Sequence, residues 1–203
     1  MILIGICGES GSGKTLTSEI IARKLNCQVY HLDDLQKEVE VWKRRSFLKK
    51  FTVPTNDTNG DVRVVIDPRL KGKRMSSKAV ENLYEKVKMS ALKSIIMKRI
   101  LKQRVSNAKY FIIEGTQLPV YVPLNMLDIK ILMSRDYFFR ERDVLKRDNI
   151  SEEEFREREE YDKPKIKLCK GFKNVINNNG TKGELEANIQ NILNREIDNE
   201  RTI

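Results

Sequence analysis

Cysteine and histidine are scarce in this sequence, and their scarcity excludes several kinds of site. The three cysteines, Cys7, Cys27 and Cys169, lie far apart. They have neither the short spacing of zinc ligands nor the even number of a disulfide framework, so we expect reduced, mostly buried thiols. His31 is the single histidine. Any mechanism that needs a histidine would therefore depend on this one residue, which we place at the end of a strand.

Long apolar runs are also lacking. No apolar run approaches the roughly 18 residues that a membrane-spanning helix needs. The N-terminus enters a strand directly, without the basic and apolar segments of a secretory signal. Hydrophobic residues make up 39% and charged residues 33% of the 203 residues. We therefore expect one cytoplasmic domain with no membrane association, as a monomer or a small homo-oligomer.

Acidic residues are fewer than basic ones, which gives a formal net charge of +10 at pH 7. Such an excess favours anionic partners. A solvated basic surface is the simplest interpretation, a substrate that carries several phosphates comes next, and nucleic acid comes third. The charge alone does not choose among them.

Residues 8–15 read Gly-Glu-Ser-Gly-Ser-Gly-Lys-Thr and match the phosphate-binding P-loop, G-x-x-x-x-G-K-S/T. An apolar strand precedes this loop and a helical pattern follows it, which is the context that the motif requires. Lys14 would supply a charge to the β- and γ-phosphates of ATP, and the Thr15 hydroxyl can bind Mg²⁺. The predicted nucleotide-binding residues here are Gly8, Glu9, Ser10, Gly11, Ser12, Gly13, Lys14 and Thr15.

Strand and helix patterns alternate along the chain. Apolar runs predict five strands, at 2–7, 28–32, 110–113, 128–133 and 172–176. Helical periodicity predicts helices between them, including a long one at 76–105. Together with the P-loop, this order predicts an α/β fold of the P-loop NTPase kind, namely a five-stranded parallel sheet flanked by helices.

The expected domain organisation is a single P-loop domain with three parts. Residues 1–34, 109–135 and 170–203 form the core, about 35–108 form a helical substrate-binding insert, and about 136–165 form a lid. Within the insert, Thr52 to Asp61 is loop-like, and Val62 to Ile66 is a short strand or an extended segment. In the lid, Ser151 and Glu154 have the capping-box spacing, and Pro164 interrupts the helical pattern.

Carboxylates follow two of the predicted strands. Asp33 and Asp34 come directly after the second strand, where one can deprotonate an acceptor hydroxyl and the other can cap a helix. Glu114 ends the third strand, as an acid that holds a magnesium-bound water would. Because the carboxyl ends of parallel strands carry the ligands of α/β sheets, these side chains are candidates for the active site.

Arginines follow the fourth strand, at Arg140, Arg142 and Arg147. Guanidinium groups pair bidentately with phosphate and spread the negative charge of a transition state. We expect two of the three to contact phosphate, with the lid closing over the nucleotide. The N-K-x-D motif with which GTPases read their base does not occur. The pattern therefore favours a small-molecule kinase.

Several segments resemble dephospho-coenzyme A kinases in order and spacing. Besides the P-loop, they are His31-Leu32-Asp33, which keeps the second acid of the family's D-x-D, Asn59 to Arg63, Ile112-Ile113-Glu114, Lys146 to Ser151, and Val175 to Gly180. The resemblance implies ATP-dependent, Mg²⁺-assisted phosphorylation of the ribose 3′-hydroxyl of dephospho-CoA. It also implies that Asp33 is the base, that Arg147 is a lid arginine, and that Asn178 to Gly180 lie near adenine.

The remaining predicted roles complete this hypothesis. Lys14, Asp33, Arg142 and Arg147 are the predicted catalytic residues, and Asn178 and Gly180 join the nucleotide-binding set. Asp34, Arg63 and Glu114 are predicted to bind the phosphorylated acceptor, and Thr15 and Glu114 the metal. The alternatives are a nucleoside or nucleoside-monophosphate kinase, an enzyme acting on nucleic acid, and a nucleotide-binding protein without turnover.

Overall fold

The computed structural model describes residues 1–34, 52–56, 62–66 and 77–200 of the chain. Seven strands occur in these ranges: β1 (Ile2–Gly8), β2 (Gln28–His31), β3 (Thr52–Asn56), β4 (Val62–Ile66), β5 (Tyr110–Glu114), β6 (Ile129–Ser134) and β7 (Asn174–Asn177). Five of them form one parallel sheet in the order β2-β5-β1-β6-β7. The predicted five-stranded parallel sheet is thus confirmed.

The described ranges also contain six helices: α1 (Lys14–Leu25), α2 (Ser77–Val105), α3 (Leu118–Tyr121), α4 (Tyr137–Asp148), α5 (Glu152–Lys167) and α6 (Lys182–Glu200). A 3₁₀ turn at Leu124–Met126 precedes β6. Among the helices in the described ranges, none is both long and apolar enough to cross a bilayer.

The central position of β1 explains its composition. It pairs with β5 on one side and β6 on the other, and helices cover both faces of a parallel sheet of this kind. Side chains that point to either face, such as Leu3, Ile4 and Ile6, are accordingly fully buried. The core continues into α1 and α6, where Ile20, Ile21, Leu185, Ile189 and Leu193 recur at helical spacing.

Helix boundaries follow local signals in two places and depart from them in one. Asn26, in the left-handed region at φ 48°, ends α1. The Ser151 and Glu154 capping box at the start of α5 is formed in both directions. The predicted interruption at Pro164 is wrong, because α5 runs on to Lys167. Proline removes only one backbone donor, and the last turn tolerates that loss so close to the helix end.

The chain divides into two compact units, Asp33–Ile95 and the remainder formed by Met1–Leu32 with Ile96–Ile203. In the first, β3 and β4 pair antiparallel, with Val53 opposite Val65. The loop predicted at Thr52 to Asp61 is therefore wrong for its first five residues, since pairing with β4 satisfies their backbone despite Pro54. The predicted long helix is confirmed as α2, and Leu92, Ile96 and Ile100 on it are buried.

In the larger unit, the carboxyl ends of all five parallel strands lie at one edge of the sheet. The register places Ile6 opposite Glu114, and Glu114 opposite His31. On the other side Gly8 lies opposite Met133, and Ser134 opposite Asn177. The residues that follow these strands are consequently neighbours in space although they are far apart in the chain.

Candidate functional site

The P-loop turns sharply between β1 and α1. Gly11 and Gly13 have φ of 76° and 95°, in the left-handed region that glycine adopts without strain. A Cβ at Gly11 would lie 2.8 Å from Val144 Cγ2, and one at Gly13 would collide with Asn178 Nδ2. The residue before α1 is Gly13, so no side chain caps the first backbone amides of the helix. The amides at this helix start are therefore oriented to receive an anion.

Lys14 is held within the loop that precedes it. Its side chain is buried, and Nζ donates a hydrogen bond to the carbonyl of Glu9 at 2.9 Å. That contact curls the loop around the ammonium group. A desolvated lysine at the start of a helix is a strong local source of positive charge for a polyphosphate.

Glu114 lies at the centre of a three-residue cluster beside the P-loop. This carboxylate, at the end of β5, is only 3% exposed. Its Oε1 accepts hydrogen bonds from the Thr15 hydroxyl at 3.3 Å and from His31 Nδ1 at 2.6 Å. The structure thus brings together the two residues that the sequence assigns to the metal, and it adds His31 to them.

The donor chemistry of this cluster fits a magnesium ion that arrives with a nucleotide. Mg²⁺ prefers hard oxygen ligands, and it binds through one or two protein oxygens plus phosphates and water. Thr15 Oγ1 and the Glu114 carboxylate supply such oxygens side by side. Within the described ranges, no group of three or more His, Cys, Asp or Glu residues could hold a metal by protein ligands alone.

Two arginines reach the P-loop from the region after β6. Arg135 Nη1 donates to the carbonyl of Gly11 at 3.2 Å and pairs with Asp143 at 2.8 Å. Arg140, which is 4% exposed, donates to the carbonyl of Ser10 at 3.3 Å. These contacts bring two guanidinium groups to the backbone of the predicted phosphate loop.

Arg140 is also paired with two carboxylates. Glu159 of α5 binds it through both oxygens at 2.7 Å, and Glu9 of the P-loop lies 3.3 Å away. Burial by itself lowers the pKa of Arg140, but the hydrogen bond and charge of Glu159 outweigh it and the pKa is raised. Burial raises the pKa of Glu9, which Arg140 opposes only in part. Arg140 therefore stays charged next to a carboxyl whose pKa is raised above its ordinary value.

The two predicted catalytic arginines of the lid lie at the surface in this state. Arg142 and Arg147 have side chains 59% and 61% exposed, and they pair with the adjacent Asp143 and Asp148. The hydrogen bond from Arg147 lowers the pKa of Asp148 below its ordinary value. Contact of either arginine with phosphate stays a prediction.

Asn178 contacts the P-loop from the turn after β7. Its Nδ2 donates to the carbonyl of Ser12 at 3.0 Å, and its backbone amide donates to the carbonyl of Ser134 at 2.8 Å. Gly180, two residues on, lines a shallow hollow of about 430 Å³ together with Asn177, Asn179, Glu184, Ala187 and Asn188. Both predicted nucleotide-binding residues of this turn thus lie in the larger unit, and Asn178 contacts the P-loop.

Besides Glu114, three residues are predicted to serve the acceptor, and the structure describes the side chains of two of them, Asp33 and Asp34. Asp33 and Asp34 are exposed and open the smaller unit, directly after Leu32. Leu32 itself donates its amide to the carbonyl of Glu114 at 2.9 Å, so the chain leaves the sheet next to that residue. Arg63 lies on β4, opposite Thr55, and its side chain is outside the described part of the structure.

Sequence reasoning did not select Arg135 or assign a partner to His31. For Arg135 a signal was present, because it directly follows β6 and so lies at the same sheet edge as the P-loop. For His31 the signal was its position, in register with Glu114 on the neighbouring strand. Side chains of parallel residues in register share one face of the sheet.

No protein-family model matches the chain, and no curated protein matches it in sequence. The solved structure of TT1252 from Thermus thermophilus is similar at 22% identity and a TM-score of 0.64, over 96% of this chain and 97% of that one. Dephospho-CoA kinase from Campylobacter jejuni is similar at 14% identity and a TM-score of 0.60, over 97% and 98%.

Shikimate kinase from Bacteroides thetaiotaomicron is a further similar structure, at 12% identity and a TM-score of 0.54, over 96% of this chain and 97% of that one. The dephospho-CoA kinase and the shikimate kinase are named for different acceptors, yet both share the architecture of this chain over nearly its whole length. Identities this low carry the fold and not the substrate. The chain has the α/β fold of the P-loop kinases.

Proposed function

We propose that this chain is an ATP-dependent small-molecule kinase that transfers the γ-phosphoryl group to a hydroxyl, with the ribose 3′-hydroxyl of dephospho-CoA as the leading acceptor. The observation that carries the proposal is the P-loop itself. Its left-handed glycines, its buried Lys14 and a helix start without a side-chain cap support the proposal, because such a loop can bind a polyphosphate. The Thr15–Glu114 contact beside it suits the accompanying cation.

The proposed chemistry is an in-line displacement at the γ-phosphorus. The acceptor oxygen forms a bond to phosphorus, the bond to the bridging oxygen of ADP breaks, and the acceptor proton passes to a carboxylate. Lys14 binds the β- and γ-phosphates and stabilises their charge. Mg²⁺, held through Thr15 and Glu114, would neutralise part of that charge when bound. Asp33 is proposed as the proton acceptor from its place after β2.

The arginines have two proposed roles. Arg135 and Arg140 lie against the P-loop carbonyls, and they would support the loop that carries the nucleotide. Arg142 and Arg147 are exposed on α4, and they would be available to phosphate when the lid closes. Asp34 and Arg63 are proposed to bind the phosphorylated acceptor, and Asn178 with Gly180 the nucleotide.

The test is an acceptor panel with ATP and Mg²⁺, in which ADP release and the mass of the product are both measured. Dephospho-CoA, nucleosides, nucleotides and oligonucleotides are the acceptors. We expect a phosphorylated product from dephospho-CoA. Turnover of a nucleoside or nucleotide without turnover of dephospho-CoA would reassign the acceptor, and turnover of no acceptor would remove the kinase proposal.

Variants assign the roles within the same assay. Lys14→Ala should abolish transfer, whereas Lys24→Ala, an exposed lysine on the same helix, should not. Asp33→Asn should lower kcat by about 100-fold or more with ATP affinity little changed, as expected for loss of a general base. Asp34→Asn is measured beside it, since a larger loss there would move the base to Asp34.

A further inference from the structure

His31 holds Glu114 through a short hydrogen bond that no sequence motif requires. Nδ1 of His31 lies 2.6 Å from Glu114 Oε1, and the same oxygen accepts from Thr15 at 3.3 Å. Within the described part of the chain, Glu114 Oε2 takes part in none of the hydrogen bonds. One oxygen of the carboxylate is thus occupied by protein donors, and the other is left for a ligand.

The backbone makes this contact rigid. His31 and Glu114 are partners in the register of the parallel strands β2 and β5. Backbone hydrogen bonds on either side, from Leu32 to the carbonyl of Glu114 and from Gly115 to the carbonyl of Ile6, fix both strand ends. A 3% exposed carboxylate gains most from a donor that cannot move away, because water does not replace the contact when it is lost.

We propose that His31 is a positioning residue for the divalent cation that accompanies the nucleotide. Its hydrogen bond fixes the rotamer of Glu114, so that Oε2 and the Thr15 hydroxyl serve the same cation position. The inference rests on the proposed function only in requiring a nucleotide bound with a divalent cation. It assigns to His31 a role that is exerted through Glu114, the carboxylate that it contacts.

The choice of histidine matters to this role. A carboxylate at position 31, as in a D-x-D segment, could not donate to Glu114 and would repel it. An aliphatic residue would leave a buried carboxylate with one hydrogen bond fewer. Groups that orient a metal-ligating side chain in this way change metal affinity about 10- to 100-fold when they are removed.

The experiment is a magnesium titration of nucleotide binding, which does not depend on turnover. A fluorescent ATP analogue is titrated at increasing Mg²⁺, and the Mg²⁺ concentration that gives half of the gain in affinity is recorded. His31→Ala should raise that concentration about tenfold. His31→Asn, whose Nδ2 can take the place of Nδ1, should stay near the unmodified protein. Binding in EDTA should be the same for all variants.

His31→Leu, which keeps apolar bulk without a donor, is the second variant in case the alanine variant does not fold. Thermal unfolding of each variant is measured in parallel. An unchanged magnesium requirement in His31→Ala or His31→Leu would overturn the proposal, as would an equal loss of affinity with and without Mg²⁺. Normal magnesium-dependent binding without transfer to any acceptor would instead contradict the proposed function and leave the role of His31 standing.

Discussion

Arg140 and Glu159 hold each other through two parallel hydrogen bonds, Nη1 to Oε1 and Nη2 to Oε2, each 2.7 Å long. Both side chains are about 95% buried, at 4% and 6% exposed. The pair joins α4 to α5, and Arg140 continues the connection to the carbonyl of Ser10 in the P-loop. The guanidinium group of Arg140 therefore contacts both the proposed lid and the phosphate loop.

Removal of one partner of this pair should be costly. Glu159→Gln leaves the buried Arg140 with Glu9 as its remaining carboxylate, and the loss of one partner of a buried ion pair costs about 3–5 kcal/mol. We expect a loss at the lower end, about 3 kcal/mol, because Glu9 and two carbonyls still contact Arg140. Urea unfolding measures it, with the exposed Glu160→Gln on the same helix as control.

The double variant Arg140→Met with Glu159→Leu distinguishes the cost of an unpaired buried charge from the cost of lost packing. Well-packed apolar residues often replace a buried ion pair without loss of stability. We expect the double variant to regain most of the stability that Glu159→Gln loses. A double variant as unstable as the single one would show that the geometry of the P-loop contacts, and not the unpaired charge, is what the single variant disturbs.

Ionisation of Glu9 should make the free energy of unfolding depend on pH. Burial raises its folded-state pKa above the ordinary value of 4.5, so above that value the folded protein binds more protons than the unfolded chain. The contribution of Glu9 to stability is therefore present at low pH and is lost as the pH rises through the folded-state pKa. Glu9→Gln should gain stability relative to the unmodified protein as the pH rises.

Urea unfolding at several pH values between about 4 and 7 measures this difference for Glu9→Gln. The 3.3 Å contact with Arg140 favours the ionised form of Glu9 and so reduces the slope, but burial outweighs it and sets the direction. Glu160→Gln, an exposed residue, should run parallel to the unmodified protein. A constant offset between Glu9→Gln and the unmodified protein would contradict the prediction.

Asn178 should matter to nucleotide binding through the shape of the loop. Asn178→Ala removes the hydrogen bond from Nδ2 to the carbonyl of Ser12. A hydrogen bond contributes about 1 kcal/mol net, so we expect nucleotide affinity to fall about fivefold. Isothermal titration with ATP measures the change, and Asn194→Ala, an exposed asparagine on α6, is the control. Equal affinities in the two variants would remove Asn178 from this role.

The sheet and the nucleotide loop could be predicted from sequence because local signals encode them. Buried strands read as apolar runs, and the P-loop motif needs its glycines at fixed positions, as Gly11 and Gly13 show. The Ser151–Glu154 capping box is equally local, since its two partners are three residues apart. Each of these features depends on residues that are near neighbours in the chain.

The arginine contacts could not be predicted with the same ease, because they depend on pairing at long range. Arg140 shares the inner face of α4 with Val144, one turn on, and both are buried. Arg142 lies on the opposite side of the helix, where solvent covers it. The apolar Val144 could have identified the inner face, but nothing local indicates that Glu159, 19 residues away, receives the guanidinium group.

Ser12 offers a stability test within the P-loop. Its Oγ is buried and has no hydrogen-bond partner in the described part of the structure. A buried hydroxyl left without a partner costs about 1–3 kcal/mol. Ser12→Ala should therefore stabilise the nucleotide-free protein by about 1 kcal/mol in urea unfolding. A loss of stability would show that the hydroxyl has a partner, such as an ordered water.

Gly13 provides the most direct test of the loop conformation. Alanine there must adopt φ of 95°, and its Cβ would collide with Asn178 Nδ2. Gly13→Ala should abolish detectable ATP binding in isothermal titration, and adding Asn178→Ala should not restore it, because the backbone strain is independent of the collision. Gly171→Ala is the matched control, since a Cβ at Gly171 meets no atom within 4 Å. Restored binding in the double variant would show that crowding, and not the left-handed backbone, reserves this position for glycine.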